Sequence, residues 1–328
     1  MRHSSLSHAI SLLFTIYPEV CVNPLLSRHL YSSARRNRFF VLLSLYLLGI
    51  ALLTGGFSLM ISLPGLVEEE SLVSMLDLFM MGRSLYWFSS VILLLTAALI
   101  VPINALGAIS GERENRTLAL LVTTTLKPRA IVLGKVGAAL LTGGIYVLAP
   151  LPLLMLGFWL GGVTVTELLL TMLMLVLTMI LSIAWAIFIS GRVRKTLTGV
   201  LNFYVINVVL LPLLIILAFF AITLVVALRY SDVDVTMLPF WLVLVIQHGW
   251  IVLVGFHPLS AAIATEALGL EYGSWGLLTL TVDWFGTSST LPSVTLPSPW
   301  ITFTISTVLT VAFLLWRTTR RLAKPERR

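Results

Sequence analysis

Apolar residues run along this chain in long blocks rather than in the two-residue alternation of a half-buried strand. Six blocks stand out: Phe39–Ile61, Ser84–Leu106, Ala130–Leu160, Leu168–Ser190, Leu197–Leu228 and Trp300–Trp316. All but the last exceed the roughly 20 residues a helix needs to cross ~30 Å of hydrocarbon. Membrane barrels alternate apolar and polar positions, and these blocks do not. The pattern therefore predicts an all-α fold, a polytopic helical membrane protein with six transmembrane helices. A seventh apolar run, Leu238–Phe256, is ambiguous, and it decides the topology.

Charge settles how that run is read. If it does not cross, 19 of the 21 Lys and Arg residues share one face: the N-terminal segment through Arg38, the stretch Ser110–Lys135, Arg192–Lys195 and the tail from Arg317. Only Arg83 and Arg229 fall on the other face, together with ten of the 14 acidic residues. Basic loops stay cytoplasmic, so both termini are expected inside. A crossing at Leu238–Phe256 would put the basic tail outside, so the run is expected to be a re-entrant or surface-lying hairpin on the outer side. The net charge of +7 is then spent on orientation and on anionic lipid, which argues against nucleic acid as a partner.

Composition agrees. Only 11% of residues are charged and 58% are hydrophobic, against roughly 25% charged in a soluble domain. Mean hydropathy is +1.02. Cys21 is the single cysteine, which excludes an intrachain disulfide and a Cys-based metal site. The apolar stretch Ala9–Tyr17 lacks a small-x-small cleavage site and is expected to be a short surface helix rather than a signal peptide.

Local signals divide the chain further. Asn23-Pro24 is a helix-start signal, and the following segment, 23–37, carries Leu26, Leu30 and Ala34 on one side and Arg28, Ser32 and Arg35 on another. It is expected to be an interfacial elbow helix, or equally a plain basic anchor. Pro102, Pro150, Pro152 and Pro212 fall inside spans, where proline frees carbonyls and kinks the helix. The block Leu197–Leu228 is about 48 Å long as helix, so it must tilt or project. His257-Pro258 opens a short helix through Leu268, and Gly286–Pro299 is an outer loop rich in Ser, Thr and Pro. No internal repeat appears, so residues 1–328 are expected to form one transmembrane domain, with the segment 229–299 outside the cytoplasm.

Ser110–Lys135 is the one charged, helix-forming stretch set between two such greasy runs. Glu112 and Glu114 sit where a first helical turn favours acidic groups. Leu118, Leu121, Val122 and Leu126 share one face, and Lys127-Pro128 is expected to end the helix. Such a helix wants a protein groove or the membrane surface. The pattern Glu-x-Glu-x-x-Thr-Leu-x-x-Leu, followed by Leu-Lys-Pro-x-x-Ile-Val-x-Gly-Lys, resembles the cytoplasmic signature of type-2 ABC export permeases. Asn-Pro-Leu-Leu-x-Arg before a basic elbow is similar to the start of the same family. The resemblance implies that Glu112, Glu114, Arg116, Thr117, Leu118, Leu121 and Lys127, with Gly134 and Lys135 beyond them, belong to a coupling helix docking on a separate ATP-binding-cassette ATPase, beside a second permease subunit. Arg116 departs from the family, which has glycine before the Thr, and Thr124 or Thr125 stands where Thr-Pro is usual.

Other chemistry is thin. Gly134-Lys135-Val136 lacks the earlier glycine and the following Ser or Thr of a phosphate loop. ATP is therefore expected only in a partner subunit, with no cofactor, metal or catalytic residue in this chain. His248 and His257 form no His-Glu-x-x-His pattern, Glu68-Glu69-Glu70 reads as a solvated loop, and no Gly-x-Ser-x-Gly nucleophile is present. Asn104, Thr178, Ser182, Asn202, Tyr204 and Asn207 are the polar groups available to a translocation pathway, and interhelical hydrogen bonding is their ordinary role. No membrane-buried charge stands out, which disfavours an ion-coupled carrier. The competing class is a stand-alone intramembrane enzyme or assembly scaffold working without an ATPase.

Overall fold

A computed structural model of the chain describes residues 37–67, 75–117, 128–230, 251–280 and 294–323. The elbow segment, Leu118, Leu121, Lys127, the run 231–250 and the loop 281–293 lie outside the described residues.

The described chain is helical except for one small hairpin. Its elements are α1 (Asn37–Val67), α2 (Met75–Leu95), a π-turn (Thr96–Ile100), α3 (Ile103–Leu106) and α4 (Ser110–Glu114). Then follow α5 (Pro128–Leu148), α6 (Leu151–Trp159), α7 (Val165–Ser190), α8 (Thr196–Tyr230), α9 (Pro258–Tyr272), β1 (Leu277–Leu280), β2 (Val294–Pro297) and α10 (Pro299–Leu322). Among the described residues, five helical stretches are long and apolar enough to cross a membrane: Leu43–Met60, Phe79–Glu114, Pro128–Trp159, Val165–Ser190 and Pro299–Leu322. This is a helical, multi-pass membrane architecture.

α7 is the axis of the bundle. It packs against α2, α5, α8, α9 and α10, and Met174, Leu175, Ile183 and Ile187 on it are fully buried. The start of α7 is set by a capping box in which Thr164 Oγ1 accepts from Glu167 N–H, and Glu167 Oε2 accepts from Thr164 N–H. The Thr-x-x-Glu spacing dictates this reciprocal cap. α2 and α6 approach so closely that a Cβ on Gly157 would lie 2.7 Å from Tyr86 Cβ and 2.8 Å from the Gly82 carbonyl. Only a residue without a side chain lets these backbones meet.

Prolines break two spans. Pro102 closes the π-turn of the second stretch, and Ala149-Pro150 separates α5 from α6 in the third. Pro128, expected to end a helix, is the first residue of α5, where a missing N–H costs nothing. The sequence expectation of helix alone also missed β1 and β2, antiparallel strands in register from Leu277↔Pro297 to Leu280↔Val294. With α9 they enclose a small second core of Ile251, Leu268 and Leu278.

Candidate functional site

The end of the second stretch, the start of α5, the end of α7 and the start of α8 meet at the basic end of the bundle. Ser110, expected to open a loop, is instead the first residue of α4, which prolongs the second stretch, and it is fully buried. Its hydroxyl donates to Leu106 O at 2.9 Å and lies 3.3 Å from Thr196 Oγ1. Ser190 Oγ accepts from the backbone N–H groups of Ile109 and Ser110 at 3.0 and 2.9 Å. The same hydroxyl donates to Ser110 Oγ at 3.2 Å.

Both glutamates of the expected docking helix are engaged inside the protein. Glu114 Oε2 accepts from the N–H and hydroxyl of Thr196, at 3.2 and 3.0 Å. It thereby caps the N-terminus of α8 from another element and sits at the positive end of that helix dipole. Glu112 Oε1 accepts from Lys135 Nζ at 2.7 Å, an ion pair joining α4 to α5. The same ammonium donates to Ala108 O. Glu112 Oε2 is buried with no hydrogen-bond partner among the described residues. Arg113 Nη1 donates to Val193 O at 2.7 Å and ties α4 to the α7–α8 turn.

Arg116 has a positive φ of 58°, the single non-glycine case among the described residues. The Thr117 N–H bonds Glu112 O at 2.9 Å, and the Arg116 N–H bonds Arg113 O at 3.1 Å. This is a Schellman closure of α4, whose left-handed residue is ordinarily glycine. The odd arginine of the motif thus sits where the backbone asks for glycine. Thr117 Oγ1 adds a bond to Glu112 O at 3.2 Å.

The site is therefore a rigid base. Glu112, Glu114, Arg116 and Thr117 lie on it, Gly134 and Lys135 in α5 complete it, and Leu118, Leu121 and Lys127 lie outside the described residues. Sequence reasoning missed Ser110, Arg113, Ser190 and Thr196, whose partners lie about 80 residues away along the chain. The Ser110 and Thr196 positions carried no local signal beyond a small hydroxyl near a helix end.

The suggested pathway residues do not converge. Ser182 Oγ donates to Ala97 O at 2.7 Å and Tyr204 Oη to Leu99 O at 2.8 Å. Both carbonyls belong to the π-turn before Pro102, where the ladder is broken. Thr178 and Asn207 bond carbonyls of their own helices, Met174 O and Phe203 O. Asn104 and Asn202 are exposed.

At the opposite end, α9 is clasped to the bundle. Arg83 Nη2 donates to Glu266 Oε1 at 3.4 Å, with Glu167 buried close by. Burial, aided by the Glu167 charge, raises the Glu266 carboxyl to about 7 against the pull of Arg83. His257 caps α9 through Nδ1, which accepts from Leu259 N–H at 3.3 Å, and burial lowers its pKa to about 4.

No protein-family model matches the chain, and no curated protein matches it significantly.

Proposed function

We propose that the chain is the membrane-spanning permease subunit of a type-2 ABC exporter, coupled through the stretch from Glu112 to Leu126 to a separate ATP-binding-cassette ATPase. In this reading α8 is the remaining span, giving six crossings of the cell membrane with both termini cytoplasmic. Two permease subunits form the pathway, and ATP is bound and hydrolysed only by the partner. Closure of the ATPase pair would push the loop and shift the bundle between inward- and outward-facing populations, as far as ATP favours one of them.

The observation that carries the reading is the base itself. The motif-bearing stretch begins and ends on a node where four helices are joined by Glu112–Lys135, Glu114–Thr196 and Ser110–Ser190. A loop held this way can pass a displacement to several helices at once. A merely solvated loop has no need of such a footing.

Affinity purification of the full chain from its native membranes is expected to recover an ATP-binding-cassette ATPase. The variant Leu118→Arg/Leu121→Arg is expected to lose that ATPase while remaining membrane-integrated. Purification of an active chain with no ATPase would overturn the proposal.

A further inference from the structure

α7 and α10 run in the same direction and end side by side at the basic end, Gly191 lying against Thr318. Between their last turns is a cavity of about 310 Å³ lined by Phe188, Arg192, Trp316, Arg317, Arg320 and Arg321, among others. It could hold on the order of ten water-sized groups. None of the described residues lining it is acidic.

The bland account is that these arginines offset the negative ends of two helix dipoles. That account falls short in magnitude. Two helix C-termini present roughly half a negative charge each, whereas four guanidiniums line the cavity. A surplus of about three positive charges is left, carried by arginines that are all exposed and so accessible to an anion. Two of the guanidiniums also sit over aromatic rings: Arg192 Cζ lies 4.1 Å from the centre of the Phe188 ring and Arg320 Cζ 4.1 Å from that of Trp316. A cation–π contact restrains a guanidinium without using its N–H groups, which can still pair with the oxygens of a phosphate.

The flank of the cavity says where the phosphate comes from. Along α10, Leu309, Phe313 and Trp316 are more than 40% exposed and form an apolar strip leading up to the arginines. A soluble phosphate has no use for that strip, but acyl chains do. Trp316 has the amphipathic ring that settles at a membrane–water boundary.

The geometry points to a binding site for the phosphate headgroup of an anionic phospholipid, cradled by Arg192 and Arg320 with Arg317 and Arg321 around it, its acyl chains along α10. The site depends on the chain lying in a membrane and not on ATPase docking, so the two proposals fail separately.

Native mass spectrometry of the full chain in micelles doped with phosphatidylglycerol or phosphatidylcholine tests it. Retention of phosphatidylglycerol over phosphatidylcholine is expected. The variant R192Q/R320Q is expected to lose phosphatidylglycerol affinity by about fivefold per arginine removed. R129Q, which removes one charge as R320Q does but at an exposed position away from the cavity, is expected to change it less than about twofold. Thermal unfolding in lipid-free micelles checks that the double variant is folded; if it is not, R320Q alone carries the comparison. Equal retention of both lipids, or equal losses in R129Q and the arginine variants, overturns the site. Displacement of the lipid by inorganic phosphate at matching concentration would assign the cavity to a soluble phosphate group and overturn the lipid.

Discussion

Arg116 shows how a single backbone angle gives an unusual letter a cost. A left-handed residue with a Cβ is strained by roughly 1–2 kcal/mol, and Arg116 carries that strain at the close of α4. The replacement Arg116→Gly is expected to raise stability by about 1 kcal/mol, because glycine reaches this angle freely but loses more chain entropy on folding. Arg116→Val should lower it. Thermal unfolding of the purified protein in micelles reads both, and destabilisation by glycine would mean that the arginine side chain, not the backbone, governs this turn. The departure from glycine at 116 was visible in the sequence. Its physical meaning was not, because φ is set by the Schellman closure with Glu112 and Arg113, which a letter pattern does not display.

Among the elements, the broken second stretch is the most informative. Pro102 has no N–H to give to the π-turn, and side chains from α7 and α8 bond the carbonyls there instead. Ser182→Ala and Tyr204→Phe each remove one such donor and are expected to cost about 0.6–2 kcal/mol. A kinked element that acts as one unit would make the double variant depart from additivity, which unfolding measurements on both singles and the double would detect. The prolines were legible as kinks from the start. Ser182 and Tyr204 were legible only as polar residues in greasy runs, since their partners lie 85 and 105 residues away.

α9 is an element with opposed titrations. Glu266 has its carboxyl raised to about 7, so its contribution to α9 packing is fully present below the unfolded carboxyl range and is lost as pH rises through about 7. His257 is lowered to about 4, so its contribution is present above the unfolded value near 6.5 and is lost as pH falls through about 4. Hydrogen exchange of α9 amides should therefore show greatest protection between these limits. Glu266→Gln is expected to flatten the loss on the alkaline side while leaving the acid side intact. An unchanged alkaline limb would remove Glu266 from the account. The helix start at His257-Pro258 was readable from local sequence. The burial that shifts both groups accompanies packing of α9 on α10, α7 and α2, which a local pattern does not display.

For the whole molecule, charge distribution says more than any motif. Among the described basic residues, Arg113, Arg116, Lys135, Arg192, Arg194, Lys195, Arg317, Arg320 and Arg321 belong to the end where α4, α7 and α10 finish, while Arg83 lies at the other with Glu266. Glu266 and Glu271 belong to α9 at the other end. With Cys21 replaced by serine, single cysteines introduced at Arg194 and at Glu271 are expected to react with an impermeant thiol reagent from opposite sides of intact cells, Glu271→Cys from outside. Labelling of both from one side would defeat the six-span topology. The multi-pass plan was readable because hydrocarbon thickness imposes block length on sequence. The centrality of α7 was not, since apolar blocks facing lipid and apolar blocks facing protein look alike.

The ion pair of Glu112 with Lys135 has a mechanical meaning once the helix breaks are set beside it. The loop at the basic end has no slack where it joins the bundle, because its stems are bolted to one another and to α7 and α8. In the proposed coupling, a force applied there would not be absorbed at the rim. It would pass up the helices to the two places where a span is broken, the π-turn before Pro102 and Ala149-Pro150. The molecule would bend at those breaks, with the loop as its handle.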